Sequence, residues 1–127
     1  MTIEYNIIDS KNIHFHFDHS GAISFINILK KLIKEKTIII YFEENKKYRG
    51  KELRGFEFKI NDEDEFVSFQ NGLLLFEIEN EMALEFILFI ERAIEEKGFR
   101  TPEIITFSPK NIKKNVEITI CGFIKMD

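Results

Sequence analysis

The hydrophobic period of this chain switches between two and about 3.6 twice, and no other feature restricts the fold as much. Ile3 to Ile8 reads as a short opening strand. Asn12 to Phe17 alternates residue by residue, with Ile13, Phe15 and Phe17 on one face and His14, His16 and Asp18 on the other. That is the pattern of a half-buried strand. From Ala22 the apolar residues Ile23, Ile26, Leu29 and Ile33 recur at helical spacing, while Lys30, Lys31, Lys34 and Lys36 fall on the outer side or late in the segment. An amphipathic helix follows from this, with Ser20 as its expected N-cap. Thr37 to Phe42 is apolar on both faces, which predicts a central strand covered from both sides, and Glu43 to Arg54 reads as a charged loop. Phe56 to Ile60 alternates again, and Asn71-Gly72 joins Phe66–Phe69 to Leu73–Ile78 as a hairpin. Asn80 to Lys97 returns to helical spacing and stops at Gly98, before two last strands, Ile104–Phe107 and Val116–Ile124.

The element order is therefore ββαβ-βββ-αββ, with the middle three strands read as a meander. This is an α+β chain: one mixed, mainly antiparallel sheet with two helices packed on it, in a single domain over residues 1–127. Strand–helix–strand occurs twice, as in a degenerate duplication, but no residue pattern aligns the two halves. With 44% hydrophobic residues and 14 Phe among 127 residues, the chain holds enough apolar material for a core without disulfides or metals. Its lone Cys121 lies in an apolar alternating run and is expected to be a packed thiol in a reducing compartment. Met1-Thr2-Ile3-Glu4-Tyr5 does not open a basic-then-apolar leader, and charge interrupts every apolar run well short of the ~18 residues a membrane span needs. A cytoplasmic location away from membranes is the expectation.

One local run carries recognisable chemistry. His14-Phe15-His16-Phe17-Asp18-His19 has the form H-x-H-x-D-H and stands before a helix. It resembles the zinc-binding signature of the metallo-β-lactamase fold. That resemblance implies one zinc on His14 and His16 and a second on Asp18 and His19, with an open position for water. His19 is also the last histidine of the chain, whereas that family needs further metal-binding histidines downstream. A metal-binding domain or metal-dependent hydrolase is therefore the alternative reading, and no cofactor the leading one. No P-loop, G-x-G-x-x-G or G-x-S-x-G occurs.

The charge pattern weighs more. The net charge of −4 conceals +3 over residues 1–60, −10 over 61–96 and +3 over 97–127. Asp62, Glu63, Asp64 and Glu65 stand in a row, followed by Glu77, Glu79, Glu81 and Glu85. Part of this suits the start of the second helix, where the dipole favours anions, but not all of it does. A one-signed surface steers a basic partner. Lys46 to Arg54 is a basic counterpart around Tyr48, but an acidic chain without a nucleic-acid signature makes nucleic acid an unlikely ligand. In type, though not by motif, the chain resembles the small acidic immunity proteins of bacteria. That resemblance implies a non-enzymatic inhibitor that neutralises a basic, nuclease-type toxin domain through Asp62–Glu65, Glu77, Glu79, Glu81 and Glu85, with Tyr48 as an aromatic anchor. The wide apolar girth of the second helix (Leu84, Leu88, Phe89) leaves a homodimeric interaction subunit as a further alternative.

Overall fold

Four β-hairpins and two helices succeed one another along the chain. The computed structural model describes residues 3–97 and 103–123. The elements are β1 (Ile3–Ile7), β2 (Asn12–Phe17), α1 (His19–Glu35), β3 (Thr37–Tyr48), β4 (Lys51–Asn61), β5 (Phe66–Gln70), β6 (Leu73–Glu79), α2 (Asn80–Glu95), β7 (Glu103–Pro109) and β8 (Val116–Phe123). They form one eight-stranded mixed sheet in the order β1-β2-β8-β7-β5-β6-β4-β3. Cys121 falls on β8, but its side chain, like Gly98, lies outside the described residues.

The topology is internally repeated. Each half of the chain is a ββαββ unit whose two hairpins are antiparallel. The two halves meet through the parallel pairs β2–β8 and β4–β6, and the two hairpins of the second half meet through the parallel pair β5–β7. Exchanging the halves maps this strand order onto itself, provided the sheet is read as a ring in which β3 comes next to β1. The sheet curls far enough to bring those two outer strands near each other. The Tyr5 ring of β1 lies 5.8 Å from Phe42 of β3 and 5.4 Å from Phe56 of β4.

The expected elements are all present, and four details differ. The middle strands are not a meander, because β4 runs parallel to β6 and the β5–β6 hairpin folds back on its far side. β3 is an outer strand rather than a central one. Its second face is bare, with Ile39 42% and Tyr41 62% exposed, so apolar residues on both faces misled the pattern. The expected charged loop instead forms the long arms of the β3–β4 hairpin, turning at Arg49-Gly50 with φ of 53° and 75°. Such mirror-image turns match the twist of paired strands, as does Asn71-Gly72 with φ of 54° and 76°. Finally, α1 begins at His19 and its N-cap is Asp18, whose Oδ1 accepts the Gly21 N–H at 2.6 Å.

The concave face of the sheet and the two helices bury one aromatic core. Phe56 is fully buried and its ring contacts those of Tyr5, Phe15, Phe42, Phe58 and Phe76. A buried Phe contributes roughly 2–3 kcal/mol by area alone, and edge-to-face contacts add to it. α1 supplies Ala22, Phe25, Ile26, Leu29 and Leu32, and α2 supplies Ala83, Phe86, Ile87 and Ile90. The space left between helices and sheet is about 20 Å³ and lined only by apolar side chains such as Phe15, Phe25, Phe86 and Phe107. A gap of that size and polarity stays dry and offers no chamber for a substrate.

Chain direction sorts the loops. Odd-numbered strands run toward hairpin turns and even-numbered strands run back from them. All four hairpin turns therefore lie at one end of the sheet. The helix termini and the β4–β5 connection lie at the other.

Candidate functional site

That sorting separates the charges. β4 and β6 run parallel, with Asn61 in register with Glu79, so the loop after β4 and the helix after β6 leave the sheet side by side. Two acidic stretches far apart in sequence thus meet at the helix end. The Asn61 side-chain oxygen accepts the N–H groups of Glu63 and Asp64 at 3.1 and 3.2 Å, and Asp64 Oδ1 accepts the Glu65 N–H at 2.8 Å. These local bonds turn the chain and leave Asp62, Glu63 and Asp64 exposed. Glu65 is half-buried, and its carbonyl accepts the Ser108 N–H at 3.0 Å.

Crowding of like charge shows in the proton affinity of Glu65. Burial, a hydrogen bond to Asp64 and the negative charges of Asp64 and Glu79 push its pKa up to about 7. The same hydrogen bond holds the Asp64 carboxyl below its ordinary value. Near neutrality the pair shares one proton, which belongs to the pair rather than to either residue. Glu79 is the N-cap residue of α2 but makes no side-chain capping bond, and Glu81 lies exposed in the first helical turn. Among the described residues, none of Asp62, Glu63, Asp64, Glu65, Glu79 and Glu81 ion-pairs with a lysine or arginine. Asn80, between them, carries the one buried side-chain oxygen that lacks a partner among the described residues.

The other expected partner-binding residues lie elsewhere. Glu77 points to the outer face of the sheet but is buried and ion-paired with Lys110 at 2.7 Å, so its charge is already answered. Glu85 is exposed further along α2, beside a shallow hollow with Leu88 and Arg92. Tyr48 is 2% exposed, which corrects its expected place as a surface anchor. Its hydroxyl donates to the Ser10 carbonyl at 2.7 Å and ties the β3–β4 turn to the β1–β2 turn. Leu84 and Leu88 of α2 do remain exposed.

The hairpin end has the opposite sign, which the sequence reading did not anticipate. Lys11 follows the first turn and Lys114 precedes β8, and the Glu117 N–H donates to the Lys11 carbonyl. Contact with Lys11, with the Arg49 charge close by, lowers the pKa of Lys114. The basic run around Tyr48 is thus partly committed: Arg54 donates to the Asn71 carbonyl through Nε and Nη2, and Lys46 lies over the Phe42 ring. The hairpin end is thus rich in cations, while the helix end carries the acidic stretches together with Lys34 and Lys36 at the end of α1.

The H-x-H-x-D-H run is divided between two environments. His14 and His16 stand on the outer face of β2, half-buried, with ring centroids 6.3 Å apart. Asp18 is buried under the start of α1 as its cap, and His19 is exposed in the first turn of that helix. Among the described residues no three His, Cys, Asp or Glu side chains converge as a metal ion would require. No protein family, curated protein or solved structure matches the chain. No helix among the described residues is long and apolar enough to cross a membrane.

Proposed function

We propose that the protein is a non-enzymatic binding module whose acidic end engages a basic protein partner, in the manner of an immunity protein neutralising a toxin domain. The observation that carries this reading is the meeting of Asp62–Glu65 with Glu79, beside Glu81, none of them ion-paired with a lysine or arginine among the described residues. Burial, with Asp64 and Glu79 close by, makes the ionised form of Glu65 unfavourable near neutral pH, and an acidic surface of this kind suits an external positive charge.

The partner's Lys and Arg side chains would form charge-assisted hydrogen bonds to Asp62, Glu63, Asp64 and Glu81, which are exposed. The test is calorimetric titration against the product of the adjacent gene, at low and high salt. Native protein should bind one to one and weaken steeply with salt. The variant carrying D62K, E63K, D64K and E81K should lose binding while keeping its fold by circular dichroism. Binding indifferent to both salt and charge reversal would sink the proposal.

A further inference from the structure

The eight-stranded sheet is an open ring, and the place where it fails to close is a cleft. Its walls are β1 and β3, each of which has a single ladder partner among the described residues. The cleft measures about 670 Å³. Tyr5, Ile28, Ile40 and Phe42 give it an apolar floor. Glu4, Glu43 and Glu44 stand on its rim, exposed. The single cation there, Lys46, is drawn over the Phe42 ring at 5.6 Å.

The duplication supplies an internal control. Exchange of the two halves carries β1 onto β5 and β3 onto β7. At that equivalent junction the chain closes its own sheet. Phe66 and Val67 pair in parallel with Ser108 and Pro109, and the Lys110 N–H donates to the Val67 carbonyl at 2.9 Å. One step on, the Asn111 side-chain amide replaces a peptide group, accepting the Phe69 N–H at 2.7 Å and donating to the Phe69 carbonyl at 2.9 Å. Nothing among the described residues does this between β1 and β3. The two edges run in the same direction, so a single extended segment laid between them in the opposite sense would pair antiparallel with both.

We infer that the β1–β3 cleft receives an extended strand from a partner polypeptide, one that alternates apolar residues with Lys or Arg. Main-chain pairing with the two open edges would hold it, the mode by which sheets are extended by a foreign strand. Period-two alternation sends one set of side chains onto the Tyr5, Ile40 and Phe42 floor and the other set out to the rim. Three carboxylates against one occupied lysine on that rim select basic residues there. This surface lies apart from Asp62–Glu65 and does not depend on the proposal for the acidic end.

The probe is a fluorescein-labelled peptide of alternating valine and lysine, read by fluorescence polarisation against the full chain. Saturable one-to-one binding is expected. A peptide of the same sequence with N-methyl groups on alternate residues should lose it, since it cannot pair along both edges. E43K with E44K should weaken binding roughly tenfold or more, as removal of two rim charges implies, whereas D62K with E63K should leave it unchanged. Equal binding of the N-methylated peptide would overturn the inference. So would loss of binding on D62K with E63K but not on E43K with E44K, which would place the peptide at the acidic end. A dimer in sedimentation velocity that the peptide does not dissociate, and that E43K with E44K does, would assign the cleft to a second copy and overturn it equally.

Discussion

Replacing Asp18 separates two physical accounts of the only motif in this chain. In the fold, its carboxylate is a helix cap: Oδ1 takes the Gly21 N–H at 2.6 Å and the Ser20 hydroxyl at 3.3 Å, and the residue is only 7% exposed. Asp18→Ala removes that acceptor and leaves a donor of the first turn unsatisfied in a buried place. Loss of an N-cap costs about 1–2 kcal/mol. For a domain of this size, about 1 kcal/mol corresponds to roughly 4 °C in Tm, so Asp18→Ala should melt about 4–8 °C below the native protein. Asp18→Asn keeps a side-chain oxygen for the cap and removes the negative charge at the positive end of α1, about 0.5 kcal/mol or roughly 2 °C. The assay is differential scanning calorimetry of both variants, each with and without zinc. Under the capping account the Asn variant lies close to native, the Ala variant does not, and zinc moves neither. If the Asn and Ala variants fell equally, and the native protein alone gained stability from zinc, the carboxylate would be a ligand rather than a cap.

Glu65 sets a pH dependence of known sign. Its folded pKa is raised to about 7, so between its ordinary value and about 7 the folded state binds more protons than the unfolded state. Its contribution is therefore present at acid pH and lost as pH rises through about 7; Glu65→Gln should flatten that decline and raise the Tm at pH about 8, and a lower Tm there would contradict the burial and repulsion assigned to it. Tyr48→Phe removes the hydrogen bond to the Ser10 carbonyl and should cost about 1 kcal/mol in urea unfolding; no loss would mean that the two turns are not tied through this hydroxyl. Gly55→Ala places a Cβ 2.1 Å from the Ile40 carbonyl oxygen, beside the shift in the β3–β4 register, and should cost about 1–3 kcal/mol, as overpacking does. A stability equal to native would show that the bulge relaxes freely.

The Asn71-Gly72 hairpin and both helices were legible because each depends on residues close in sequence: Asn71-Gly72 sets its own turn, and Phe25, Leu29 and Leu32 set their own stripe. The role of β3 was not legible, because burial on both faces and exposure on one produce the same run of Thr37-Ile38-Ile39-Ile40-Tyr41-Phe42, and only strand order decides between them. For the same reason β4, β5 and β6 read as a meander: nothing local reports that β4 pairs with β6 in parallel. The charged neighbours of Tyr48 suggest a surface aromatic, whereas a strand alternates and can bury one residue among Lys46, Lys47 and Arg49. The acid content of residues 61–96 was visible as a count. That Glu77 is withdrawn onto Lys110, while Asp62–Glu65 and Glu79 converge, follows from the β4–β6 register and from no property of the segment alone.

A duplicated fold also makes asymmetry informative. Two equivalent positions built by the same unit should be solved in the same way unless one of them answers to something outside the fold. Both helices start at the same end of the sheet. α1 starts on a buried aspartate that caps it, and α2 starts on Glu79, which makes no side-chain cap bond and adds its charge to Asp64 and Glu65. The equivalent sheet junctions divide likewise: β5 and β7 are sewn together by Ser108, Lys110 and Asn111, while β1 and β3 stand apart around an acid-rimmed cleft. In each pair one member satisfies its own backbone and charge requirements and the other leaves them open. The open members share a sign, negative. A basic partner long enough to lay a strand between β1 and β3 would meet carboxylates at both departures from symmetry.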